Sequence, residues 1–106
     1  MSAAIPLDSL LRSLRSLDDA DAVHDTLDWR QAIVRELCRI VEHAHVRGLA
    51  HPGLAARNVL VDGGSEVRVV GWVACRSADA RDDDVRALGR IAHELLTLEE
   101  PPAPSR

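Results

Sequence analysis

The sequence has no phenylalanine and no tyrosine, and Trp29 and Trp72 are its only aromatic residues, so a core has to be assembled from Leu, Val, Ile and Ala. No apolar run approaches the roughly 20 residues of a membrane span. The N-terminal MSAAIPLDSLLRSLRS also lacks the charge-then-apolar layout of a secretion signal. Together these features predict a cytoplasmic protein with no membrane partner. A basic cluster is missing too: the net charge is −4 and the arginines are scattered among Asp and Glu, which argues against a nucleic-acid partner. Cys38 and Cys75 are the only cysteines, far apart and outside any CxxC spacing, and are expected to be free thiols at apolar positions. Without tyrosine, phosphorylation of the chain is confined to Ser and Thr.

What is present fits one domain. A chain of 106 residues buries roughly two-thirds of its unfolded surface, enough for a single core. The expectation is one unit over residues 1–106, with flexible ends at 1–4 and 99–106. Its expected class is α+β, mainly α, with about three amphipathic helices and one β-hairpin. Residues 5–17 place Leu7, Leu10, Leu11, Leu14 and Leu17 at helical spacing, with Pro6 suited to the first turn. DDADAVHDT lacks apolar rhythm and predicts a linker or a frayed turn. Asp28, with Gln31 three residues on, predicts the start of a second helix through a capping box. Its apolar stripe is Ile33, Leu37, Ile40, Val41 and Ala44, with Arg30, Arg35, Arg39, Glu42 and His43 largely outside it. Arg47-Gly48 predicts its stop.

The histidines at 43, 45 and 51 invite a metal site, but His43 and His45 point in different directions on a helix and no cysteine or acidic pair completes a set. No metal is expected. Val59–Val61 and Val67–Val70 flank Asp62-Gly63-Gly64-Ser65 and predict the hairpin. This glycine pair lacks the Lys and helix start of a phosphate loop. Residues 77–83 predict a polar connection into a helix over 84–97. That helix pairs an apolar stripe of Val85, Leu88, Ile91, Ala92, Leu95 and Leu96 with a polar one of Arg86, Arg90, His93, Glu94 and Thr97.

The stretch HPGLAARNVLVDGGSEVRVVGWVACR, residues 51–76, resembles the catalytic loop, hairpin and metal-binding turn of a eukaryotic-type protein kinase. Leu54 to Val61 is close to the tyrosine-kinase version of the loop, and the later Asp84-Val85-x-x-Leu88-Gly89 is similar to the start of the family's central large-lobe helix. The resemblance covers residues 5 to 98 and implies a kinase large-lobe core. It makes His51 the histidine that packs on the metal-binding turn, Trp72 the counterpart of that turn's Phe, and Asp84 the carboxylate that holds backbone amides of the loop. Asn58 matches the asparagine that coordinates metal and braces the loop, and its expected role here is a brace through its amide. Arg57 is expected at the surface or bracing the loop.

The resemblance also shows what has been replaced. The catalytic base falls at Gly53, its neighbouring Arg at Pro52, the metal-binding Asp at Gly71 and the turn glycine at Val73. No segment before Leu7 supplies the phosphate-covering loop, the strand Lys or its Glu partner, and the activation segment is missing, so a self-contained miniature is expected. It implies an inactive kinase-like module, not an enzyme, with no cofactor and no nucleotide. It would act on a protein partner or as a homodimer through His51, Pro52, Gly53, Trp72 and Val73. Trp72 is either an exposed anchor there or simply core. The alternatives are a residual nucleotide or small-molecule sensor, and a transfer enzyme using Asp62, Asp82 or Asp83 as a displaced acid.

Overall fold

A computed structural model describes residues 4–62 and 66–99. Two long helices, α3 (Leu27–Val46) and α4 (Ala78–Thr97), make its largest contact. They run antiparallel, since Arg30 at the start of α3 meets Leu95 at the end of α4 while His45 at the end of α3 meets Asp84 near the start of α4. Before them come α1 (Leu7–Arg15) and a short α2 (Ala20–Asp25). Strand β1 (Ile5–Pro6) joins β3 (Val59–Val61) and β4 (Val67–Val69) in an antiparallel sheet of order β1-β3-β4. A second small antiparallel sheet pairs β2 (Leu49–Ala50) with β5 (Val73–Ala74). The mainly helical α+β class expected from the sequence is the class found.

The core lacks aromatic rings at its centre and closes on aliphatic ones. Leu7 and Leu11 of α1, Ile33, Leu37 and Val41 of α3, Val59, Val61 and Val67 of the hairpin and Ile91 and Leu95 of α4 are all buried in one cluster. Trp29 and Trp72 pack against it from the edge. The hairpin register, Val59 opposite Val69 and Val61 opposite Val67, sends alternate valines inward. The turn glycines Gly63 and Gly64, with Ser65, lie outside the described residues, as do the expected flexible ends apart from Ala4 and Glu99.

Several expectations are corrected. The helix expected over 5–17 is shorter. Pro6 has no N–H to give and sits at φ −62°, ψ 142°, so Ile5 and Pro6 extend along Val61 and Leu60 before α1 begins. Leu17 lies beyond the helix and is exposed. DDADAVHDT is not a linker: Asp19 accepts the N–H groups of Asp21 and Ala22 and caps the six-residue α2, which buries no residue and so shows no apolar period. Helix α3 begins at Leu27 after Thr26, so Asp28 lies in its first turn rather than at the cap. Residues 78–83 are helical too, with Ser77 accepting the Ala80 N–H. On α4 the buried line is Asp84, Ala87, Ile91 and Leu95, and Val85 and Leu96, one residue further round, face solvent.

Arg30 is the largest departure. Expected on the polar side of α3, it is buried, and its guanidinium donates to the carbonyls of Leu95 (2.7 Å) and Leu96 (3.3 Å) at the end of α4. It also donates to Val23 O of α2 at 3.1 Å and to Thr26 Oγ1 at 2.8 Å. The last carbonyls of a helix have no partner inside it and carry its negative dipole end, and α4 has no basic residue in its own last turn. Arg30 supplies the charge, and Arg15 of α1 adds bonds to Leu98 O and Glu99 O at 2.9 and 3.0 Å. Arg30→Ala is expected to lower unfolding free energy by about 2–3 kcal/mol, since it strands buried carbonyls. Arg30→Lys is expected to recover little, because one ammonium cannot reproduce the fork. Arg15→Ala, on the wetter rim, should cost less than about 1 kcal/mol. Urea denaturation of the three variants checks the order.

Candidate functional site

The site is the loop from Ala50 to Val59 and the turn from Val70 to Val73, tied together by two side chains. Asp84 projects from α4 with only 1% of its surface exposed. Its carboxylate accepts the His51 backbone N–H at 3.0 and 3.2 Å, and His45 Nε2 of α3 approaches Oδ2 at 2.8 Å. A buried carboxylate has to be met by donors, and these come from two other segments, α3 and the loop. The helix is therefore stitched to the start of the loop at one point.

His51 carries the second tie. Its Nδ1 lies 3.1 Å from Gly53 N, which donates to it, and its Nε2 lies 2.6 Å from Val70 O. One ring nitrogen accepts and the other donates, which selects the imidazole with its proton on Nε2. The ring stands edge-on to Trp72, with centroids 5.5 Å apart and planes at 80°. Backbone bonds finish the frame, from Val70 N to Asn58 O (3.3 Å) and from Cys75 N to Gly48 O (2.8 Å).

Gly53 and Gly71, the two glycines that the sequence resemblance sets against acidic residues, differ physically. Gly53 is exposed, and a Cβ built there meets no heavy atom within 4 Å beyond its chain neighbours. Gly71 has φ +100°, and a Cβ there would stand 2.8 Å from His51 Nε2. A side chain at 71 would strain the backbone and push on the histidine that holds Val70.

Of the five residues expected to form an interaction surface, Pro52 and Gly53 are exposed and Val73 is 47% exposed. His51 is not available there: it is buried, because both its nitrogens are used inward. Trp72 is half-buried and unites the two roles considered for it, with one side on the core and the other lining a groove of about 560 Å³. That groove lies beside α3, not over the loop. Ile40, Val46 and Leu49 help to line it, and periodicity could mark only Ile40 as apolar.

Asn58 braces the loop through its backbone. Its Oδ1 is buried with no hydrogen-bond partner among the described residues, which is not the amide brace expected. Arg57 is exposed. Asp62 closes the hairpin by accepting the Glu66 N–H at 3.0 Å, and Asp82 and Asp83 lie exposed on α4, with Asp83 3.6 Å from Arg86. Cys38 and Cys75 are free thiols, Cys38 exposed and Cys75 half-buried, where apolar packing was expected. Among the described residues no group of three or more His, Cys, Asp or Glu is placed to hold a metal, and no helix is long and apolar enough to cross a membrane.

No protein-family model, curated protein or solved structure matches this chain.

Asp84→Ala should cost about 1–3 kcal/mol by leaving the His51 amide and His45 without their acceptor. Gly71→Ala should destabilise and Gly53→Ala should be nearly neutral. Thermal melts of the three variants check this, and equal melting temperatures for Gly53→Ala and Gly71→Ala would contradict the described geometry.

Proposed function

We propose that the chain is a catalytically inactive, kinase-like interaction module that works through protein contact. One observation carries the reading: the loop is held by Asp84 and His51 at the positions the resemblance assigns to structure, while the positions it assigns to chemistry are glycines. Phosphoryl transfer depends on positioned charge, namely a carboxylate for the substrate hydroxyl and another for metal. Gly53 and Gly71 offer neither, and at Gly71 the backbone and His51 leave no room for one. Pro52, Gly53 and Val73 form the accessible part of the surface, with Trp72 at its edge. An aromatic beside small apolar groups suits the anchor of an interface.

A residual sensor of nucleotide or a small molecule is the second reading, and Asn58 favours it, since its Oδ1 is a buried acceptor without a donor, which a ligand that displaced the loop would supply.

MgATP titrated against the protein, followed by Trp72 fluorescence with Trp72→Leu as control, separates the two readings. The module reading expects no saturable signal up to millimolar ATP, and saturable binding at micromolar ATP would replace it with the sensor. The double variant Gly53→Asp/Gly71→Asp is expected to turn over no ATP in a coupled phosphate-release assay, because the backbone and His51 leave no room for a working carboxylate at position 71, and turnover above background would show that the loop can still carry the chemistry.

A further inference from the structure

The C-terminal half of α3 leaves one face open beside the Trp72 groove, and the charges on that face have a definite order. Glu36, Arg39, Glu42 and Arg47 all line the groove, and read along the helix their signs are minus, plus, minus, plus. Reversing the direction of such a series inverts its signs. Glu36 and Arg47 lie about three turns apart and so fall on one stripe of the helix, while Arg39 and Glu42 are near neighbours on the adjoining stripe. Both pairs have their midpoints close to Val41. An antiparallel second copy of α3, related by a two-fold axis near Val41, therefore sets Glu36 against Arg47 and Arg39 against Glu42, each twice. A parallel copy would set like against like.

The apolar features of this face fit the same arrangement. Val46 is 77% exposed, the most exposed of the large hydrophobic side chains, and it stands as a ridge between the Trp72 groove and a second groove of about 320 Å³ lined by Val41, Val85 and Leu88. A surface that carries a ridge beside a groove can meet its own copy, as a two-fold interface requires. Ile40 and Trp72 supply the apolar floor. The Glu36–Arg39 pair already made within the chain, at 2.9 Å, is a surface pair that can be shared across the axis.

We propose that this face is the seat of a homodimer in which α3 packs antiparallel on α3 of a second copy, with Val46 and the Trp72 groove beneath the ion pairs. The inference goes beyond the loop surface proposed above, with which this face shares only Trp72, and it names the occupant.

Sedimentation equilibrium across a dilution series, at low and high salt, tests it. The expected mass approaches twice 11.6 kDa at high protein concentration, and added salt shifts the equilibrium towards monomer. Glu36→Arg alone and Arg47→Glu alone are each expected to give monomer, because each sets like charges across the axis. The double variant Glu36→Arg/Arg47→Glu is expected to restore the dimer, with unchanged circular dichroism showing that all three fold. A wild-type monomer at every concentration overturns the proposal and leaves the module reading to its own titration. A dimer indifferent to the charge variants overturns the antiparallel seating.

Discussion

A carboxylate shut away from water must be met by donors, and the arrangement of this molecule around Asp84 follows from that constraint. With 1% of its surface exposed, Asp84 draws the His51 amide from the loop and His45 from α3 to one point on α4. The His51 amide can reach it only if the chain leaves α3 through Gly48 at φ +77° and enters the loop along β2. Once His51 is placed, its ring fixes Gly53 on one side and Val70 on the other, and Trp72 stacks edge-on against it. The loop is thus tied at its start by Asp84 and across to the turn by His51.

At the other end of the α3–α4 pair the same physics acts with the opposite charge. Arg30 gives its guanidinium to carbonyls at the end of α4, which has no basic residue in its own last turn, and adds a bond to Val23 O of α2, which Thr26 already meets. The two ends are complementary: a buried anion near the start of α4, and a buried cation at its finish. Arg30 is met by backbone and a hydroxyl, and Asp84 by backbone and a histidine.

How much of this the sequence could reveal depended on whether each feature left a local trace. The interior of α3 and the buried half of α4 were legible because Ile33, Leu37 and Val41, and Leu88, Ile91 and Leu95, repeat with the helical period. The hairpin was legible from its valines. Helix α2 was not, since it buries nothing, and the first turn of α4 was not, since it buries no residue and depends on Ser77 for its cap. Arg30 was illegible for a deeper reason: its partners are carbonyls 65 and 66 residues away, and an arginine bound for backbone looks in sequence like one bound for water. At the site, Asp84 and His51 could be named in advance only through resemblance. The groove beside Trp72 could not, because β2 and β5 bring Leu49 and Trp72 alongside α3 by pairing that no spacing rule predicts.

Asp84 and the His51 ring brace the loop into a fixed form from within the chain. Nitrogen-15 NMR of the histidine side chains in the ligand-free protein tests this most directly. The expected result is a single His51 tautomer with the proton on Nε2, slow to exchange because it is held by the Val70 carbonyl, beside a His51 amide protected from solvent. An averaged tautomer with rapid exchange at both sites would contradict it.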